Sequence, residues 1–191
     1  AGGNPEAFLL DGNAAATSGP DSLAADRIAS ARKASGTAGE WTTEARGAVR
    51  TSGVWKGSPT VVEADSLTAS LDRSGKLLDA DLEGSVRFQG GGASGEAAHL
   101  AFRGAGLGQV TLTGAPGRRA RLARDRTRVA ADTLTTDPDG TEIAAQGRVE
   151  STLLTAPPAR GAAAKAGGLF RQGEAVHFVS GRMTSRSLDG R

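Results

Sequence analysis

The stretch "VVEADSLTASLDRSGKLLDADLEGSVRF" (residues 61–88) sets the reading of the whole chain. Around Asp65, apolar residues stand at Val62, Ala64 and Leu67, alternating on each side of the carboxylate. Period-two alternation argues for a half-buried strand, yet its phase slips by one residue across the Asp. One extra residue that re-aims an alternation is a β-bulge. Asp65 and its follower are therefore expected to form a bulge that keeps both halves of the strand facing one interior. "DRSG" (72–75) is a turn for mechanistic reasons: Asp caps its own backbone and Gly accepts φ > 0. A second strand follows, with Gly84 inside it, Leu82 two positions before and Val86 two after. A Gly within a strand marks a bulge, a bend or a close backbone approach.

The same unit recurs. "LAADRIASA" (23–31) places Leu23, Ala25 and Ile28 around Asp26, and "RVAADTLTTDPDGTEIAAQGRVES" (128–151) places Val129, Ala131 and Leu134 around Asp132. The second strands are built around Gly12, Gly47, Gly84, Gly114 and Gly147, and only "GAPGRR" breaks the apolar pattern after its Gly. One unit lacks the Asp: "GEAAHLAF" (95–102) fits with Ala98 in its place and Ala97, Leu100 and Phe102 inward. A near-copy, "GEAVHFVS" (173–180), lies 78 residues on. The phase gives a half unit at 6–18, whole units from about 21, 60, 94 and 127, and a last strand from about 173. Both ends of the sequence then fall inside a repeat, as in a piece of a longer array. A helical reading of "DSLAADRIASARKA" (21–34) gives way to its alignment with the Asp65 strand.

Two strands in roughly 30 to 40 residues are too few for a propeller blade and indicate a stacked β architecture. The expected fold is all-β: repeated antiparallel strand pairs stacked as an open, twisted, elongated β jelly roll. The repeats are assigned to 1–156, a Pro/Ala/Gly connector to 157–169 within "TAPPARGAAAKAGG" (155–168), and the start of a further repeat to 170–191. Composition agrees: 191 residues hold 28 Gly, no Tyr, no Cys and 4% aromatics, so a thick core is hard to fill. A formal charge of +2 calls for no nucleic-acid partner. No apolar run approaches the roughly 20 residues a membrane-spanning helix needs.

The ordered set of "VEADSL", "RVAADTL" and "LAADRI" with "EGSVRF", "QGRVES", "RGAVRT" and "DGNAAA" resembles the repeat of the OstA superfamily, the LptA/LptC-like proteins of lipopolysaccharide transport. "QVTLTGAP" is similar to a further segment of that family. The resemblance spans about 6–191. It implies a V-shaped β jelly roll with an apolar inside, stacked edge to edge with other Lpt-type proteins as a periplasmic bridge for lipopolysaccharide or a related lipid. It implies neither catalysis nor a cofactor. The inward positions expected to touch acyl chains are Val62, Ala64, Leu67, Leu71, Leu82, Val86, Phe88, Leu100, Phe102, Val110, Leu112, Val129, Leu134, Ile143 and Val149. The rival reading is a structural β-solenoid or surface filament with a closed interior. A cleft lined by Val62, Leu67, Val86, Phe88 and Leu134 would distinguish the carrier.

Other constellations carry less. His99 and His177 read as repeat positions, since no Cys or third ligand accompanies them, and no metal site is expected. Asp26, Asp65 and Asp132 lack the spacing of calcium-binding nonapeptides and read as carboxylates satisfying local backbone donors. "GRRARLARDRTR" (117–128) holds six Arg. It reads first as a solvated, edge-protecting strand. Arg118, Arg119 and Arg121 are the candidates for a lipid-phosphate contact, because guanidinium forks match phosphate geometry. Trp41 and Trp55 are expected to cap the interior of the first whole unit.

Overall fold

The computed structural model describes residues 7–32, 40–55, 58–104, 108–137, 142–154 and 174–186. The connector at 157–169, most of the turn at 137–140, the closing "SLDGR" and the side chain of Trp55 lie outside them. All regular structure described is β-strand. The first five strands are β1 (Ala7–Ser18), β2 (Asp21–Arg32), β3 (Trp41–Trp55), β4 (Ser58–Leu71) and β5 (Leu77–Gly90). They are followed by β6 (Ala93–Arg103), β7 (Gln109–Thr113), β8 (Ala120–Arg124), β9 (Thr127–Ala131) and β10 (Thr133–Thr136). The last two are β11 (Glu142–Leu154) and β12 (Ala175–Arg186). Every pairing is antiparallel, and 21–32 is strand.

Strands β1 to β6 pair in sequence order. Beyond β6 the sheet divides. Residues 99–103 of β6 pair with β7, and 93–96 pair with β8. On the far side, 143–146 of β11 pair with β10, and 150–153 pair with β9. With β7 on β10 and β8 on β9, the six strands β6-β7-β10-β11-β9-β8 close into a barrel. A sheet open throughout was expected, so the closed ring departs from that reading. The reason lies in the broken repeat. Pro116 stands where other units carry an inward apolar residue, and Pro cannot donate a ladder hydrogen bond. The chain turns there, Ala115 and Arg118 exchanging backbone hydrogen bonds of 2.8 and 2.9 Å around Gly117 at φ 78°. A long strand is thereby cut into β7 and β8, and Asp132 cuts the next into β9 and β10. The Asp132 N–H donates to Gly147 O at 2.8 Å, and the Gly114 N–H donates to Asp132 O at 2.9 Å, tying the four ends together.

The bulges are real, but they sit on the Gly strands. Between Arg46↔Ser66 and Val49↔Ala64, β3 spends two residues, Gly47 and Ala48, against Asp65 alone. Gly12–Asn13, Gly84–Ser85 and Gly147–Arg148 do the same in β1, β5 and β11. In β6, Ala98 takes the place of the Asp, opposite Gly84 and Ser85. Placing the bulge on the Asp strand was therefore a misassignment of partner: the extra residue needs positive φ, which Gly supplies without a Cβ penalty. Gly84 has φ 99°, and a Cβ there would collide with the Asp65 carboxylate. Gly47 meets Asp26, and Gly147 meets Asp132, in the same way. The Ser85 N–H donates to Asp65 Oδ2 at 3.1 Å, satisfying a donor that the bulge frees.

Both halves of each long strand do face one interior. Residues two before the Gly and two after the Asp fall into one register row: Leu10, Ile28, Ala45, Leu67, Leu82, Leu100, Leu112, Leu134, Ala145 and Met183. Ala14 pairs with Ala25, Val49 with Ala64 and Val86 with Ala97 on the other side of the joint, all buried.

Gly84→Ala is expected to destabilise by ~1–3 kcal/mol through backbone strain and the Asp65 overlap. In a urea-denaturation cycle, Asp65→Ala should remove part of that penalty, giving a double variant better than additive. Strict additivity would mean that the two residues do not share a joint.

Candidate functional site

The halves that precede and follow each joint are not in contact everywhere. Between them, in β1–β5, lies a partly open cleft of about 690 Å³. That volume falls within the ordinary range of ligand sites. From one set of halves it is lined by Phe8, Ile28, Ser30, Trp41, Thr43, Leu67, Ala69, Leu71, Leu77, Ala80, Leu82 and Phe102. From the other come Ala16, Leu23, Val54 and Val62, with a strip of hydroxyls at Thr17, Ser18, Ser22, Thr51, Ser52 and Thr60. Asp21 and Lys76 are the charged lining residues and sit at turn ends. The hydroxyls are partly spent on one another: Ser22 and Ser52 lie 2.7 Å apart, and buried Ser30 and Thr43 lie 2.9 Å apart. Among the described residues no buried side-chain polar atom lacks a partner.

The expected acyl-contacting residues divide by place. Val62, Leu67, Leu71, Leu82 and Phe102 line the cleft. Ala64, Val86 and Leu100 are buried beside it and do not line it. Val110, Leu112, Val129, Leu134, Ile143 and Val149 fill the ring, each 6% exposed or less. Phe88 is half-buried, and its ring occupies the space a Cβ on Gly95 would need. Of the five positions that were to distinguish a carrier, Val62 and Leu67 thus line the cleft, while Val86, Phe88 and Leu134 do not. Trp41 tilts against Phe8 with ring centroids 6.4 Å apart, and the Arg32 guanidinium lies 5.7 Å over the indole.

A second, charged groove of about 800 Å³ runs along the half-sheet that contains β8 and β9. Arg50, Glu63, Arg87, Glu96 and Arg121 are successive register partners on β3, β4, β5, β6 and β8. Opposite charges directly across strands each contribute roughly 0.2–1 kcal/mol. Arg50 and Glu63 close to 2.5 Å. Beyond Arg121 the row passes through Ala130 to Glu150, which Arg119 engages at 2.6 Å, holding that carboxyl below its usual range. Arg119 therefore already has a carboxylate partner, whereas Arg118 is exposed at the Gly117 turn and Arg121 is exposed on the ladder. The ladder was readable in the sequence. Arg50, Arg87 and Glu150 each stand three after a repeat Gly, and Glu63 and Glu96 stand two before Asp65 and Ala98.

His99 Nε2 lies 2.9 Å from Asp81 Oδ1, and Arg103 reaches the same carboxylate. Arg103 first, then His99, holds the Asp81 carboxyl below its ordinary value. His177 Nδ1 sits 3.0 Å from Thr152 Oγ1 on β11. The two His thus occupy separate strands. Among the described residues no group of three or more His, Cys, Asp or Glu side chains is placed to hold a metal ion. The joint carboxylates act locally: Arg148 grips Asp132, with Nε 2.9 Å from Oδ1, and lowers its pKa. The chain matches no protein-family model and no curated protein.

Because Asp81, Asp132 and Glu150 have folded-state pKa values below their unfolded ones, their stabilisation is complete above the unfolded carboxylate range. It is lost as pH falls through the folded values. Urea midpoints should therefore hold from neutral pH to about pH 5 and decline below it. Asp81→Asn is expected to be less stable at neutral pH and to show a smaller acid-side decline.

Proposed function

We propose that this protein is a non-enzymatic periplasmic lipid carrier: a bridge component that holds acyl chains of lipopolysaccharide or a related lipid in the cleft of β1–β5. The observation that carries this reading is the cleft itself, an aliphatic space of ligand size left between two halves of the same strands. In the ring, Leu112, Leu134 and Val149 are buried and take up the interior. Burial of each methylene is worth ~0.8 kcal/mol, so a modest length of tail suffices for binding. The fan of β1–β5, each strand bent at one joint, fits an OstA-like jelly roll open on that side. The closed, filled ring of β6–β11 favours the rival, a structural β-solenoid segment, for that part of the molecule alone.

The margins support edge-to-edge stacking with similar proteins. Among the described residues, β1 and β12 each pair on one side, and Phe8, Leu9, Leu10, Phe178 and Val179 are exposed there. Unpaired edges of this length are templates for adding a strand. β1 and β12 run in opposite directions along the row, so β12 of one copy meets β1 of the next antiparallel. Continuing the register sets Met183 beside Leu10, Arg182 beside Asp11, and Gly181 opposite the Gly12–Asn13 bulge.

Photocrosslinking from benzophenone side chains at Leu67 and Leu71 to lipopolysaccharide is expected to succeed. Exposed Arg87 and fully buried Val86 should give none, and silence at all four positions would move the assignment to the structural segment. At the margin, Asp11→Lys should weaken self-association about fivefold in sedimentation velocity, the equivalent of ~1 kcal/mol for like charges across strands. Adding Arg182→Asp should restore it. Failure of that rescue would rule out the register.

A further inference from the structure

We infer that the cleft is a blind trough for one linear alkyl tail, closed at the ring and entered from the β1 margin, so that within a bridge this molecule holds and releases a tail at that margin and is not itself a through-conduit. This rests on the lipid-carrier reading and goes beyond it. One interior row runs Phe8, Ser30, Thr43, Ala69, Ala80, Phe102 across β1 to β6. Four small side chains lie between two phenylalanines, and all six residues line the cleft. The missing side-chain volume therefore forms a trough running across the strands. Five strand spacings of roughly 4.8 Å make it about 24 Å long, comparable with one extended long-chain acyl tail.

The two ends differ. Phe8 is 42% exposed on the edge strand beside Trp41, whereas Phe102 is 7% exposed and belongs to the ring. Beyond Phe102 the row continues into Val110, which is buried and does not line the cleft. The facing row behaves alike. Ala16, Leu23, Thr51 and Val62 line the cleft, and the next residue in register, Phe88, turns to cover Gly95. A straight aliphatic chain fits this space better than a ring system, because the row between the phenylalanines is Ser, Thr and Ala and the flanking walls are mostly Leu, Ile, Val and hydroxyl side chains, with Trp41 beside Phe8 at the margin. The Ser and Thr strip on one wall leaves oxygens near the tail that can meet an ester carbonyl or a chain hydroxyl.

The test is a chain-length series on the full protein, with decyl, tetradecyl, octadecyl and docosyl phosphocholine as probes below their micelle concentrations. Affinity should rise about fourfold per methylene, the equivalent of ~0.8 kcal/mol each, until the trough is full, and then stop rising. Ala69→Leu, which fills the trough midway, should move that limit to shorter chains. Phe102→Leu, a milder change than Phe102→Ala, should move it to longer ones. Binding that keeps gaining through docosyl, or a limit that neither variant moves, would overturn the blind trough while leaving the lipid carrier standing. No binding by any probe, from protein with a cooperative urea transition, would overturn both.

Discussion

The structure depends on one contact repeated three times: an Asp carboxylate lying in the space that a Cβ would take on the Gly of the next strand. Asp26 with Gly47, Asp65 with Gly84 and Asp132 with Gly147 make the same joint. Two requirements meet on the glycine. It must adopt positive φ to insert one extra residue into the ladder, and it must leave room for the carboxylate, which in the Asp65 joint accepts from the freed Ser85 N–H. Neither can be met by another residue type without strain. The joint lets one strand change direction while its inward residues on both sides stay inward.

That property turns a sheet into a container. A bent strand contributes to two walls, and where the inward side chains between the walls are small, space remains. In β1–β5 they are small: Ser30, Thr43, Ala69 and Ala80 stand in one row. In the ring the interior is occupied by larger side chains, Leu112, Leu122, Val129, Leu134 and Val149, all of them buried. The difference arises from one local event. Pro116 stops the strand after Gly114, the chain divides into shorter strands, and these close on β11 where a continuous strand would have left the sheet open.

Much of this was legible. Offsets around Asp and Gly identified inward positions because side-chain alternation is a local property of the backbone, and Ile28, Leu67, Leu82 and Leu134 duly fall in one buried row. Ala98 was also placed correctly as the substitute for Asp. Both strands carried a bulge signal, the internal Gly on one and the phase slip at Asp on the other, and the choice between them was not legible, because an extra residue is defined only against a partner. Ring closure was missed for a related reason: the broken pattern at "GAPGRR" was visible, but not the strand that the two fragments would meet. Inward and cleft-lining are likewise different properties. Val86 and Leu82 are equally buried, and only Leu82 lines the cleft, because lining depends on what stands on the opposite wall. The alternating charge ladder was present at fixed repeat offsets and needed only the register to be read.

The most direct measurement is a crystal structure of the protein bound to a tetradecyl phosphocholine or a lipopolysaccharide fragment. The expected result is a single extended tail lying across β1–β5 over Ala69 and Ala80, its end against Phe102, with the ring unchanged. A tail threaded into the ring among Leu112 and Leu134, or lipid seated only in the charged outer groove with the cleft collapsed, would contradict it.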